Sequence, residues 1–199
     1  MNQEKRVFFS LNHDRDAALY RELLQWLTLN GIAINPWTTI DFERDNRSED
    51  ERQRQTQIVD QVVNSDYAVV IVGDSPIDPE SVDIQALNAA SWMKRPIIAL
   101  NVNQLKDIDR DHFPQLMADQ LVLHLPMEGQ VFKHALESWK DEAFRVRTMG
   151  QSGPVHYSHD IYALIEQSHE AACPFVASAD KPSQTETDAH TPWSQSAAA

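Results

Sequence analysis

One uninterrupted apolar segment constrains the fold of this chain more than any other: Tyr67-Ala68-Val69-Val70-Ile71-Val72-Gly73. Alternate side chains of a strand point to opposite faces, so a strand built from this segment is apolar on both. Such a strand is stable inside a parallel sheet that helices cover on both sides. The segment 96–100 has the same character and follows a helical segment at 79–93. The two segments therefore predict parallel strands joined by a helix.

Alternating strand and helix patterns extend over most of the chain. Short apolar runs predict further strands at 6–10, 32–34 and 121–125, and helical periodicity predicts helices at 14–29, 51–64, 129–146 and 158–172. This alternation is typical of an α/β protein, and we expect a flavodoxin-like, doubly wound, five-stranded parallel sheet with a C-terminal helix. The predicted domains are 1–149, a helical appendage at 150–175 and a disordered tail at 176–199.

The charge of the chain excludes several classes of partner. Its 199 residues include 30 acidic and 17 basic side chains, a net charge of −13. This surface repels phosphate backbones and anionic lipids, so we expect no nucleic-acid partner and no membrane partner. No apolar run approaches the roughly 18–20 residues of a transmembrane helix, and no long apolar signal region opens the chain. With a single cysteine, Cys173, a disulfide framework is excluded. We expect a cytoplasmic protein.

Small polar residues follow the predicted strands, where an open α/β sheet binds its ligands. The candidate ligand-binding residues are Ser10, Asn12, Asp14, Trp37, Asp74, Ser75 and Ser81. Structural roles remain open for several of them. Asp14 is also a suitable helix cap, Ser75 a suitable turn residue, and Trp37 either stacks on a ligand ring or packs against the core.

Three segments together resemble the TIR-like domains of Thoeris-type bacterial antiphage systems. They are Arg6-Val7-Phe8-Phe9-Ser10, the segment 64–73 (Asn-Ser-Asp-Tyr-Ala-Val-Val-Ile-Val-Gly) and Lys94-Arg95-Pro96-Ile97-Ile98-Ala99-Leu100. The resemblance covers Lys5 to Val146. It implies a flavodoxin-like fold that binds NAD and converts it into a cyclic ADP-ribose-type messenger with release of nicotinamide. The implied partners are an effector protein of the same defence system and a second copy of the chain, through the polar stretch 41–54.

The same resemblance implies a catalytic glutamate on the helix after the third strand. Counting back from the strand at 96–100 places it at Gln85 or Ala86, neither of which is acidic. Glu80 and Asp83 lie three residues apart, on one face of that helix, and a shift of one turn gives Asp83 the catalytic role. Two hypotheses stay open: an NAD-consuming enzyme using Asp83 and Glu80, or an inactive TIR-like module for protein interaction or ligand sensing. In the second, both acids only favour the positive end of the helix.

A cluster of metal-ligand residue types near the C-terminus is the last feature considered. His156, His159, His169 and Cys173 are all suitable zinc ligands, and the order His-Glu-Ala-Ala-Cys at 169–173 differs from the zinc-protease motif by its final residue. Because the second histidine of that motif is absent, we predict no metal. His124 and His134 are expected to be core or sheet-edge residues.

Overall fold

The computed structural model describes residues 4–39, 51–75 and 81–172, which form one parallel sheet with helices on both faces. The strands are β1 (Lys5–Ser10), β2 (Ile34–Thr38), β3 (Tyr67–Val72), β4 (Ile97–Asn101), β5 (Val122–Pro126) and β6 (Pro154–His156). The helices are α1 (His13–Leu29), α2 (Glu51–Asn64), α3 (Val82–Trp92), α4 (Gly129–Thr148) and α5 (His159–Ala172). A short 3-10 helix spans Gln115–Met117.

The strand order β2-β1-β3-β4-β5-β6 confirms the predicted flavodoxin-like, doubly wound arrangement. The sheet has six strands rather than the five predicted, because β6 pairs with β5 from Pro154 to His156. This strand is only three residues long and is largely exposed at the sheet edge. A strand of that kind leaves no apolar run in the sequence, which is why periodicity missed it.

The second strand lies further along the chain than the pattern predicted. The apolar run at 32–34 was expected to be the strand and Asn35–Thr39 a loop, whereas β2 spans Ile34–Thr38. Pro36 lies inside it, opposite Val7 of β1. Proline has no N–H to give to a neighbour, so it is tolerated in a strand that has a partner on one side only. As an edge strand, β2 meets that condition.

Side chains alternate across the sheet and separate two apolar layers. One layer joins Phe9 and Val69 to α1, α4 and α5, and the other joins Phe8 and Val70 to α2 and α3. The side chains of β3 are buried at every position, in agreement with its apolar sequence on both faces. The two layers fix which helix end meets which strand end at the carboxyl edge of the sheet.

The C-terminal helix predicted at 158–172 is present as α5, and β6 places part of the segment 150–175 in the sheet. The predicted tail at 176–199 and the stretch 41–50 of the expected assembly loop lie outside the described residues. The proposed division into domains stays a prediction. Within the described residues no helix is long and apolar enough to cross a membrane.

Candidate functional site

The topological switch point of the sheet lies between β1 and β3, which are neighbours in the strand order. The chain leaves β1 into α1 on one face, and reaches α3 on the other face after β3. Diverging connections of this kind leave an opening at the carboxyl edge, where α/β proteins bind ligands. We call it the switch-point crevice. It is formed by Ser10 at the end of β1, the loop after it (11–12), the residues 73–75 after β3 and the first turns of α1 and α3.

Asp16 provides a buried carboxylate on the α1 side of the crevice. Its exposed fraction is 5%, and its Oδ2 accepts a hydrogen bond of 3.3 Å from the backbone N–H of Asn12. Burial raises the pKa of Asp16, and the nearby charge of Asp74 raises it further, against the opposing hydrogen bond from Asn12 and the charges of Arg15 and His13. A carboxyl group with a raised pKa is suited to donating a proton.

The Asp16 carboxylate rests directly against Gly73, the first residue after β3. A side-chain carbon at position 73 would collide with the carboxylate. Cγ and Oδ2 of Asp16 lie 2.9 Å from the position that this carbon would take, and Oδ1 lies closer still. Gly73 therefore lets α1 approach the end of β3. This contact joins the two loops of the crevice.

Asp83 provides a second buried carboxylate, on the α3 side. It lies in the first turn of α3 with an exposed fraction of 9%. Its Oδ2 accepts a hydrogen bond of 3.1 Å from the hydroxyl of Thr39, which directly follows β2. Since Thr38 is opposite Phe9 in the sheet, Thr39 lies level with Ser10 at the end of β1. The hydrogen bond therefore places the start of α3 beside the end of β1.

Two strand-end side chains on the α3 face carry polar atoms that no described residue satisfies. Ser10 and Asn101 are fully buried, and Ser10 Oγ and Asn101 Oδ1 have no hydrogen-bond partner among the described residues. The amide of Asn101 is engaged, since it donates to the carbonyl groups of Leu105 and Asp107 at 2.9 and 2.8 Å. A buried polar atom without a partner costs about 1–3 kcal/mol, and such atoms occur at functional sites.

The remaining predicted site residues occupy different positions. Asn12 is half-buried before α1, Asp14 is exposed in its first turn, and Asp74 and Ser75 follow β3 at the mouth of the crevice. Ser81 caps α3, where its Oγ accepts a hydrogen bond of 3.3 Å from the N–H of Ile84. A ligand contact by any of them stays a prediction.

Trp37 lies in β2 rather than in a loop. Its ring packs against Phe8 with centroids 4.7 Å apart, and its Nε1 donates to Ser65 Oγ at 3.1 Å. These contacts correspond to the packing role that the sequence left open. Stacking on a ligand stays a prediction.

Two further predictions concern the role of Glu80 and the binding of a metal ion. Glu80 lies outside the described residues, so its role stays a prediction. In the described part of the chain, no group of three or more His, Cys, Asp or Glu side chains is placed to hold a metal ion. Cys173 and the side chain of His169 are not in that part.

Sequence reasoning missed Asp16. It placed Thr39 and Gly73 in loops at the ligand-binding edge but did not single them out as site residues. An aspartate in the first turn of a helix is usual because it favours the positive end of the helix dipole, so Asp16 gave no distinct signal. The clue was the pairing of that aspartate with Gly73 after a buried strand, since a glycine marks a place where another group comes close.

Comparison with known proteins assigns the chain to no family. No protein-family model matches the chain, and no curated protein matches it in sequence. The solved structures that are similar to it include the following three. A CMP N-glycosidase of Clostridium botulinum is 18% identical over 51% of this chain and 75% of its own, with a TM-score of 0.35. A 2-desoxiribosyltransferase of Leishmania mexicana is 12% identical over 67% and 98%, with a TM-score of 0.46. A conserved protein of Enterococcus faecalis V583 is 14% identical over 83% and 99%, with a TM-score of 0.41.

These comparisons overturn the resemblance to Thoeris-type TIR domains, because no TIR domain is found among the similar structures. The expected conversion of NAD into a signalling nucleotide in antiphage defence is wrong, and so is its alternative, an inactive TIR-like module. The motifs behind the resemblance were three parallel strands of the sheet, β1, β3 and β4, and the turns beside them. Doubly wound sheets in general contain such strands, so the pattern did not separate one family from another.

Proposed function

We propose that the chain binds a small, uncharged glycoside in the switch-point crevice and hydrolyses its glycosidic bond. The observation that carries the proposal is the pair of buried carboxylates, Asp16 and Asp83, which reach the ends of β1 and β3 from opposite faces of the sheet. Glycoside hydrolysis uses two carboxyl groups, one to protonate the leaving group and one to stabilise positive charge on the sugar.

The charge of the crevice favours a ligand without phosphate groups. Asp14, Asp16, Asp74 and Asp83 all lie around it. The first turn of a helix often binds phosphate through its free N–H groups, yet the first turn of α1 carries the acidic side chains of Asp14 and Asp16. Asp16 also accepts the N–H of Asn12, which precedes the helix. Hydroxyl groups, in contrast, can donate hydrogen bonds to carboxylates and to the unsatisfied Oγ of Ser10.

The proposed reaction divides the work between the two acids. The bond between the anomeric carbon and the leaving group breaks, and its electron pair leaves with the leaving group. Asp16, the carboxyl group with the raised pKa, gives that group a proton. Asp83, as a carboxylate held by Thr39, stabilises the positive charge that develops on the sugar. Water bonds to the carbon and releases one proton.

Binding and hydrolysis are measured with four ribonucleosides: adenosine, inosine, cytidine and uridine. They are uncharged, carry hydroxyl groups and release a free base that chromatography detects. We expect calorimetric binding of at least one nucleoside and weaker binding of its 5′-monophosphate, which the four aspartates repel. NAD, expected from the sequence, stays a prediction and is titrated beside them. Tight binding of the phosphate-bearing compounds alone would contradict the proposal.

A matched pair of variants separates catalysis from helix stability. Asp83→Asn removes the charge of the buried aspartate, and Asp160→Asn removes an exposed first-turn aspartate from α5. Both lose a helix-dipole interaction of about 0.3–1 kcal/mol. We expect release of free base to fall at least about 100-fold in Asp83→Asn, the size of a lost charge-stabilising group, and to stay unchanged in Asp160→Asn. Equal rates in both variants would leave Asp83 without a catalytic role.

A further inference from the structure

The loop between β4 and β5 is held over the carboxyl edge of the sheet from both ends. At its start, the Asn101 amide donates to the carbonyl groups of Leu105 and Asp107. Further along, Phe113 is buried, and its ring meets His124 of β5 edge-to-face with centroids 4.6 Å apart. A histidine and a buried aspartate, His112 and Asp109, lie between these anchors, so the backbone that carries them is fixed.

Asp109 uses its two oxygens for different purposes. Oδ1 accepts the backbone N–H groups of Asp111 and His112 at 3.1 and 3.2 Å, which shapes the turn. Oδ2 accepts two side-chain hydrogen bonds, from Asn103 Nδ2 at 2.8 Å and from His112 Nδ1 at 2.9 Å. The second oxygen, in a side chain only 5% exposed, holds the imidazole.

This contact sets the protonation of the imidazole. Burial by itself would raise the pKa of Asp109, but the hydrogen bonds from His112 and from the N–H of Asp111 outweigh it and lower the pKa. The group is therefore a carboxylate, which only accepts hydrogen bonds, so His112 carries a proton on Nδ1. Its Nε2 is then the free base of the neutral ring, and the side chain is 31% exposed.

The sheet register places the loop that carries His112 beside the loop after β3. Asn101 is opposite Val72, the N–H of Val102 donates to the Val72 carbonyl at 2.9 Å, and Asn103 holds Asp109. The hydrogen bond to Asp109 raises the pKa of His112, and the charges of Asp109, Asp111 and Asp74 raise it further against partial desolvation. Asp74 directly follows Gly73 at the mouth of the crevice, and its charge also acts on Asp16. The charge of Asp74 therefore raises the pKa of both the imidazole and the buried acid.

We infer that His112, positioned by Asp109, is the general base that takes the proton from the attacking water in the switch-point crevice. The inference rests on the proposed function. As water bonds to the anomeric carbon, one of its O–H bonds breaks and the proton moves to His112 Nε2. The leaving group takes its proton from Asp16. Proton transfer from the imidazolium to the Asp16 carboxylate then restores both residues.

The first experiment tests the hydrogen-bonded pair of Asp109 and His112 without any substrate. Nitrogen-15 NMR of the full chain reports which ring nitrogen of His112 carries the proton and at which pH the ring titrates. We expect the Nδ1–H form in the neutral ring, its loss in Asp109→Asn, and a lowered pKa of His112 in Asp74→Asn, because a nearby negative charge is removed. A neutral ring protonated on Nε2, or a His112 titration that ignores Asp74, would overturn the inference.

The second experiment measures release of free base from the nucleoside that the wild type binds. His112→Gln should lower kcat by about 100-fold or more with little change in KM, as expected for a lost general base. Asp109→Asn should lower kcat in step with the loss of the Nδ1–H form. His156→Gln is the matched control, since the Nδ1 of His156 lies 3.4 Å from the exposed carboxylate of Asp107.

The two proposals fail in different ways. A wild type that neither binds nor cleaves any nucleoside contradicts the proposed function and the inference that depends on it. A wild type that cleaves nucleosides while His112→Gln keeps the wild-type kcat contradicts the inference alone. A loss in His156→Gln equal to that in His112→Gln also overturns it, because the effect would not be specific to the Asp109 pair.

Discussion

At the scale of single residues, the contact between Asp16 and Gly73 holds the start of α1 against the end of β3 and so shapes the switch-point crevice. The sequence singled out Asp83 from its position in a helix, and the structure buries that residue beside Thr39. Asp16 could not be identified from the sequence, because the burial of a first-turn aspartate depends on which strand end packs against it. That contact joins residues 57 positions apart, and local periodicity carries no information about such a distance.

The contact between Asp16 and Gly73 predicts the effect of a single methyl group. Gly73→Ala forces the Asp16 carboxylate or the start of α1 to move, so we expect a loss of about 1–3 kcal/mol in the free energy of unfolding. Urea denaturation measures the loss. Asp16→Ser shortens the opposing side chain. The double variant, Gly73→Ala with Asp16→Ser, should therefore recover part of the lost free energy of unfolding. Additive losses in the double variant would show that the two residues do not interact.

At the scale of elements, helix α2 was predicted at its observed bounds, 51–64, and every other predicted helix is present in part or whole. The sequence did not predict the bounds of β2 or the presence of β6. β2 lies further along the chain because an edge position tolerates Pro36, and β6 is too short and exposed to leave a pattern. Both depend on neighbours in the sheet, which periodicity along one segment cannot register.

Helix α3 begins later than predicted, at Val82, because Ser81 is its N-cap. Ser81→Ala removes the acceptor for the N–H of Ile84, so we expect a loss of about 1 kcal/mol in the free energy of unfolding. Ser81→Asn keeps an acceptor and should remain close to the wild type. Thermal and urea denaturation of the two variants make the comparison. Equal stability of Ser81→Ala and the wild type would argue against the cap.

At the scale of the whole molecule, two segments apolar on both faces were enough to predict the doubly wound sheet. The family could not be predicted in the same way. Fold-level pattern is shared by many proteins, whereas function depends on a few side chains at the strand ends. The negative charge of the chain was informative in another respect, since several of its aspartates surround the crevice.

His124 predicts how the stability of the entire chain depends on pH. The ring is fully buried, neither nitrogen has a hydrogen-bond partner among the described residues, and burial lowers its pKa to about 4, against the weaker opposing effects of Asp107 and Asp109. The unfolded chain, with the ordinary pKa of about 6.5, therefore binds the proton first as pH falls. We expect the contribution of His124 to stability to decline between about pH 6.5 and pH 4, by about 3 kcal/mol in all.

Urea denaturation at several pH values measures this decline, and His124→Leu serves as the comparison because leucine does not titrate. The variant should be less sensitive to acid than the wild type over that interval. Parallel pH dependence in the two proteins would mean that other groups, such as the acids near the crevice, control the acid response.

The two borders of the sheet have a consequence for self-association. An open strand edge is a template on which another chain can add a strand, the first step toward fibrils. Here one border contains Pro36, which offers no N–H at its position, and the other is a three-residue strand that begins with Pro154. Neither border presents a long row of free donors and acceptors. Copies of this chain that associate are therefore expected to meet through helices and loops, not by extending a continuous sheet.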